Sequence, residues 1–398
     1  MFLERVEVKL DRRFLRYGNG YTYHPTVFCG CARVPRRTGF FGMPSMKPSR
    51  GTPRVMATSR DVARAANVSQ ALVSRAFTGN GRIAPETRAH ILKVAREIGW
   101  QPNALARSMV TGDAPLVAVI TARIDFDWRA QVLSRFLRAI QDWQLKPLLF
   151  YAHDDDDVDA LLGETISWRT RGVIVTAGAV GRQRAADILN NNQFLVALNR
   201  SANHPQGFSI ATDNILGGSM AADLLVDEKR ERFFILAGPD NRWAPASRTR
   251  GFVDQLRRRG HEPVIWHSDT MTFEDGRAAA AALLERPPGE RPDAVFATND
   301  ALALGLLDGL IGRLDIPGDL SVVGFDNLPA AAWTPYRLTT LEQPIDLMVS
   351  RVLGYLNENE EQEAPDAGAD PAAGCRIDDG VIYCPPRIVT RATTRGGA

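Results

Sequence analysis

Gln70, Ala71, Ser74 and Arg75 fall on one side of a short helical pattern and offer an amide, a methyl, a hydroxyl and a guanidinium to whatever lies against them. A small polar face of this kind, on the second helix of a helix-turn-helix, enters the major groove of DNA and meets base edges. Three short helices between Arg60 and Arg107 must hold it there. The first, Asp61 to Ala66, carries Val62, Ala65 and Ala66 on its inner side, and Thr58 and Asp61 have the spacing of a capping box. Asn67 and Val68 make the turn. The second helix opens at Ser69, whose hydroxyl suits the free amides of Gln70 to Leu72, and buries Leu72, Val73, Ala76 and Phe77. The third starts at Pro85, apt for a first helical position, and ends near Gly99. Ala84, just before it, offers no cap, a loss of about 1 kcal/mol that Pro85 and Glu86 offset in part.

The run VARAANVSQALVSR, followed by APETRAHILKVAREIGWQPNALARSM, closely resembles the lac-repressor (LacI/GalR) family of bacterial transcription regulators. The resemblance puts Gln70 and Ala71 where the family reads bases and Arg75 at a third base contact. An Arg fork on guanine O6 and N7 is worth about 1–3 kcal/mol of discrimination, whereas Ala71 offers only a methyl contact, to thymine. Thr58, Ser69, Ser74 and Asn80 fall to phosphates, with helix capping or plain surface as the competing role for Ser69 and Ser74. PNALARSMV, Pro102 to Val110, resembles the family's hinge helix. It is shorter than the roughly 12–15 residues a helix needs to hold in water, so it is expected to order only when two copies meet over DNA. The family wedges a Leu between base pairs at the operator centre, and Met109 stands at that place here as a looser wedge. Ala106 is small enough for two hinges to approach, and Asn103 and Arg107 reach the backbone or the groove.

At 398 residues and a net charge of +2, the chain has room for two or three domains and is not a general polycation. Its useful basic charge is local, since basic residues outnumber acids between Arg54 and Arg107. Residues 1–55 are basic and rich in Arg, Gly and Pro, with no sustained period. They read either as the upstream part of a misassigned start, with translation beginning at Met56, or as a basic arm that adds nonspecific DNA affinity. No run approaches the roughly 18 apolar residues of a membrane span, and the N-terminus lacks the apolar centre of a signal peptide, so a cytoplasmic location is expected. Cys29 and Cys31 have no common zinc spacing, and Cys375 and Cys384 are expected to stay reduced. The acidic run from Asp154 to Asp157, with Asp159, precedes a helix, where acids favour the dipole, and is not read as a cation site. No metal and no cofactor is expected.

From Leu116 onward, strands alternate with helices in two series: LVAVI, PLLFY, GVIVTA and FLVALN, then RFFILAG, EPVIWH, DAVFATN and LSVVGFD. Such alternation predicts parallel sheets covered on both faces, and two series predict two similar lobes with a cleft between them. Resemblance identifies this as the family's periplasmic-binding-protein-like core. Ligands of such sheets bind beyond the carboxyl ends of the strands, which draws attention to Asp213, Asn299, Asp300, Asp326 and Asn327, and to Arg248 at an expected helix start. The resemblance gives pocket positions to Arg248, Asn299 and Asp326, with Asp213 beside them and Arg200 at a further strand end; Asp300 is read as a cap. Carboxylates that accept from vicinal hydroxyls, with an Arg fork that donates, suit a polyhydroxylated ligand. A ring to stack on such a ligand is expected at Trp128, with Phe126, Trp243 and Phe273 as alternatives. Residues Glu358 to Gly374 read as a mobile acidic loop.

The expected architecture is an α helix-turn-helix headpiece joined to an α/β two-lobed core with parallel sheets. Its bounds are 1–55 for the extension, 56–102 for the DNA-binding domain, 103–113 for the hinge and linker, and 114–398 for the effector-binding and dimerisation core. The expected function is a homodimeric transcriptional repressor of carbohydrate-related genes. Its partners are a palindromic double-stranded DNA operator and a small sugar or sugar derivative, acting as inducer or corepressor. The alternative is a sugar-binding protein on the same core without regulatory DNA binding. An enzyme is not expected, for want of a nucleophile with a base at a recognisable spacing.

Overall fold

A computed structural model describes residues 57–78, 83–103, 115–122, 124, 127–153, 157–358 and 374–397. The chain divides into two compact units, Met1–Gln101 and Pro102–Ala398.

In the first unit, α1 (Ser59–Ala65), α2 (Gln70–Thr78) and α3 (Pro85–Glu97) pack around Val62, Ala63, Ala66, Val73, Ala76, Ile91, Val94 and Ala95. Ala63, not Ala65, completes the inner face of α1: Ala65 is exposed, because the side that meets α2 and α3 is one residue out of phase with the expected one. The capping box is present, with Asp61 N–H donating to Thr58 Oγ1 and Thr58 N–H donating to Asp61 Oδ2. Asn67 takes φ +53° in the turn, a left-handed conformation that Asn tolerates better than most residues. Phe77 meets Trp100 edge to face at 5.0 Å, which pins α2 to the end of this unit.

The second unit has two sheets. The first lobe's strands are β1 (Leu116–Ala122), β2 (Lys146–Ala152), β3 (Gly172–Val175), β4 (Phe194–Leu198), β5 (Phe208–Thr212), β11 (Arg376–Asp378) and β12 (Val381–Cys384), in the order β11-β12-β5-β4-β3-β1-β2. All pairs are parallel except β11–β12. Alternation sends Val117 and Val119 to one face, against α4 (Asp127–Asp142) and α11 (Ile345–Glu358). It sends Ala118 and Ile120 to the other, against α5 (Val158–Ser167) and α6 (Arg182–Asn190).

The second lobe's strands are β6 (Phe233–Ala237), β7 (Val264–His267), β8 (Ala294–Ala297), β9 (Ser321–Asp326), β10 (Thr339–Glu342) and β13 (Arg387–Val389), in the order β13-β10-β9-β8-β6-β7. Phe233 and Ile235 face α7 (Asn214–Asp227) and α8 (Trp243–Arg258), while Phe234 and Leu236 face α9 (Phe273–Glu285) and α10 (Asp300–Leu310). Helices α7 and α8 meet at glycines: a Cβ on Gly218 would collide with the Arg248 carbonyl, and one on Gly251 with the Ile215 carbonyl.

The chain crosses between the lobes three times, at β5 to α7, β10 to α11 and β12 to β13. The crossings are laced together. Asp213 N–H donates to the Cys384 carbonyl at 2.8 Å, and Thr212 Oγ1 donates to Gln343 Oε1 at 2.7 Å. Helix α8 starts five residues earlier than the sequence suggests, because Pro245 lies in its first turn, where a missing N–H costs nothing. Arg248 therefore sits in the second turn of α8, not at its start. Cys375 and Cys384 are buried free thiols.

Candidate functional site

On the headpiece unit, the outer side of α2 presents Gln70, Ala71, Ser74 and Arg75 to solvent. Ser69 caps the helix, its Oγ accepting from Leu72 N–H at 3.2 Å, and Thr58 is engaged in the α1 capping box. These two hydroxyls are committed to local structure first. Gln70 Nε2 donates to Ser59 Oγ at 2.8 Å, which fixes the amide against the start of α1. Asn103 is exposed. Asn80, Ala106, Arg107, Met109 and Phe126 lie outside the described residues.

In the core, Arg248 is the centre of a buried network. Its Nε donates to Asn214 Oδ1 at 2.8 Å, and its Nη1 donates to the Thr298 carbonyl at 2.7 Å and to Asp326 Oδ1 at 3.3 Å. The guanidinium lies 3.7 Å over the Phe325 ring, a cation–π contact in a desolvated place. Asp326 also accepts from Gln343 Nε2 at 2.6 Å. A continuous path of bonds therefore runs from α8 through the end of β9 to two of the three crossings.

Burial dominates the electrostatics. It holds the Arg248 guanidinium below its ordinary range, against the opposing pull of Asp326 and Asp300. Burial likewise pushes Asp326 up to about 6, although Arg248 and Gln343 draw it down. Asp300 is pushed up to about 7 by burial and by the neighbouring Asp326 charge. Its carboxylate accepts from Thr340 Oγ1 at 2.6 Å and Leu328 N–H at 2.7 Å, so Asp300 braces β10 and the turn after β9. Both members of the Arg248–Asp326 pair are shifted toward neutrality, which is what a buried pair shows when desolvation outweighs attraction.

Asn299 stands beside Thr298 at the N-cap of α10, where its Oδ1 accepts from Leu302 N–H and its Nδ2 donates to the Met271 carbonyl at 3.0 Å. Asp213 caps α7, and its carboxylate accepts from Arg376 Nε of β11 at 2.7 Å. Arg376 in turn lies 4.3 Å over the Tyr383 ring. Asp213 thus joins the network through its neighbour Asn214 and spends its own charge on Arg376. Arg200 ties two strand ends of the first lobe, donating to the Leu198 carbonyl at 3.0 Å and the Thr176 carbonyl at 3.4 Å. Trp128 is half-buried against the first lobe's core, and its buried Nε1 has no hydrogen-bond partner among the described residues.

Phe273, the first residue of α9, is partly buried and packs against the second lobe's core, where the apolar stripe of that helix begins. Asn214, Gln343 and Met271 are members that the sequence reading missed. Asn214 follows Asp213 directly, and a helix opening immediately after a strand end was the available signal.

Residues 58–103 match the family described as bacterial regulatory proteins, lacI family, and residues 222–394 match a periplasmic binding protein-like domain. The chain belongs to the LacI family. Among its relatives in this family are the transcriptional regulator GalS of Salmonella typhimurium, 29% identical over 74% of this chain and 87% of the relative, and the transcriptional repressor CytR of Escherichia coli, 28% identical over 72% and 85%. Catabolite control protein A of Priestia megaterium is 26% identical over 85% of this chain and 99% of its own. The lac repressor dimer bound to operator and the anti-inducer ONPF shares the fold, with a TM-score of 0.72 at 21% identity over 85% of this chain and 99% of that one. Like other LacI-family members, the protein is a ligand-responsive, DNA-binding transcriptional regulator with a helix-turn-helix headpiece and a two-lobed α/β core. Among the described residues, no helix is long and apolar enough to cross a membrane, and no group of His, Cys, Asp and Glu is arranged to hold a metal ion.

Proposed function

We propose that the protein is a homodimeric repressor of carbohydrate-related genes that binds a near-palindromic operator and responds to a sugar or sugar derivative. A two-fold dimer matches a two-fold site, with Gln70, Ala71 and Arg75 reading bases in each half and Ser69 and Ser74 placed toward phosphates. The effector group is Arg248, Asp326 and Asn299, with Asp213, Arg200 and Trp128 at its margins. A carboxylate and a guanidinium side by side recognise vicinal hydroxyls, and two solved transcriptional regulators of this fold hold cellobiose and ribose.

The observation that carries this reading is the bonded path Arg248–Asp326–Gln343–Thr212. A ligand that takes over any bond of Arg248 or Asp326 disturbs groups that are themselves tied to the crossings. Binding is thereby linked to the angle between the lobes. A coupling of about 1–3 kcal/mol changes operator affinity about 5–150-fold. Gel-shift titration against the gene's own upstream DNA, at stated salt and with and without candidate sugars, is the test. A specific shift that one sugar changes supports the reading. Binding no better than to random DNA under every condition rejects it.

A further inference from the structure

A cavity of about 490 Å³ lies beside the β5 to α7 crossing, walled by α7 and α8 of the second lobe and by the β11–β12 hairpin of the first. Its size is that of small-molecule sites in general. It is not the Arg248 cleft. The α8 residues that line it are Trp243, Ala246, Ser247 and Arg250, a stripe at intervals of three and four, and at 3.6 residues per turn Arg248 falls on roughly the opposite side of that helix. Of the residues expected to meet the effector, Asp213 and the alternative ring Trp243 line it, as does Asn214 of the Arg248 network; the Asp213 carboxylate is already held by Arg376 and the Asn214 Oδ1 by Arg248 Nε.

We propose that this cavity is a second ligand site, for a neutral polyhydroxylated ring of monosaccharide size. Trp243 is 41% exposed, its ring 6.2 Å from that of Tyr383 with an interplanar angle of 33°; Arg376 covers one face of the Tyr383 ring at 4.3 Å, so Trp243 supplies the open aromatic face. An open aromatic face of this kind takes the C–H face of a sugar ring. Around it stand Asp240, Asn241, Ser247 and Arg250, which among the described residues have no side-chain hydrogen bond. Their groups are one acceptor carboxylate, one donor guanidinium, an amide and a hydroxyl, balanced in charge and suited to a ring of hydroxyls. A ligand there touches Tyr383 from one lobe and Trp243 and Arg250 from the other, so its affinity depends on the angle between them. The site is therefore regulatory by position.

The test is isothermal titration of the full-length protein with D-glucose, D-galactose, D-ribose and D-mannose, and with L-glutamine as a zwitterion of similar size. It is run on the wild type, on Trp243→Ala and Arg250→Ala, and on the cleft variants Arg248→Gln and Asp326→Asn. Trp243 and Arg250 are exposed, so their replacement leaves the core intact. The proposal expects at least one sugar to bind the wild type and a cleft variant alike, and to lose tenfold or more in affinity in both Trp243→Ala and Arg250→Ala. Sugar binding that vanishes in the cleft variants and ignores Trp243 overturns the second site while leaving the proposed function standing. Binding of glutamine alone, or of no sugar at all, overturns it too.

Discussion

Arg248 and Asp326, 78 positions apart in sequence, meet in the core at 3.3 Å, and burial drives both toward their uncharged forms. Such a pair is costly to keep dry and equally costly to break from one side only. Arg248 spreads the cost over Asn214, the Thr298 carbonyl and the Phe325 ring. Replacing the Asp326 carboxylate by an amide leaves that guanidinium partly held but removes the charged acceptor for a ligand hydroxyl. Asp326→Asn is therefore expected to bind operator as the wild type does and to lose its response to effector, as read by gel shift with and without ligand. A normal response would take Asp326 out of the effector group.

The same carboxylates set a pH dependence. Asp326 at about 6 and Asp300 at about 7 lie above the ordinary value of 3.8 that they regain on unfolding. The folded state then binds more protons than the unfolded state between about pH 4 and pH 7. Stability must fall as pH rises through that window and level off above it. Each pKa unit is worth about 1.4 kcal/mol, so the change is on the order of a few kcal/mol. The urea midpoint of the core is expected to be higher at pH 5 than at pH 8, and Asp300→Asn to shrink the difference. An unchanged difference would assign the slope to other groups.

Arg75 projects from the outer side of α2 with its fork exposed. Arg75→Ala is expected to cost about 1–3 kcal/mol on specific operator DNA, while salt-dependent binding to random DNA persists. Equal loss on both DNAs, measured at one salt concentration, would make Arg75 a phosphate contact.

Ala84 occupies the N-cap of α3 with φ −62° and ψ 136°, the extended shape a capping residue needs, yet it supplies no side-chain bond. Ala84→Ser is expected to add about 0.5–1 kcal/mol to the headpiece, seen as slower amide exchange in the first turn of α3. No gain in protection would mean that the serine hydroxyl prefers water to those amides.

Gly251 lets α8 lie against the Ile215 carbonyl of α7. Gly251→Ala is expected to cost at least the roughly 1–3 kcal/mol of an overpacked site, because backbone has no rotamer to yield. A thermal midpoint equal to the wild type would show that the two helices can part without penalty.

Much of this was legible in the sequence because the patterns were local. The helices of the headpiece announce themselves through Thr58, Ser69 and Pro85, and the strands through alternating apolar runs whose ends expose Asp213, Asn299 and Asp326. Gln343 was hidden because its partners, Thr212 and Asp326, lie 131 and 17 residues away and no local period marks a residue between a strand end and a helix. Ring type alone does not assign Phe273, since an aromatic at a helix start serves a core as readily as a pocket, and Phe273 packs against the second lobe's core. Trp243, weighed as a stacking ring, lies on the side of α8 away from Arg248, a fact only the true start of that helix reveals.

The three crossings between the lobes, bonded to one another through Asp213–Cys384 and Thr212–Gln343, behave as knuckles on a single pin. One crossing would leave the lobes free to twist, and two would still let them shear. Three fastened side by side leave a single easy motion, a bend about the line that joins them. The core is thereby a one-dimensional gauge. Whatever molecule enters, and from whichever side, it can report only more bend or less.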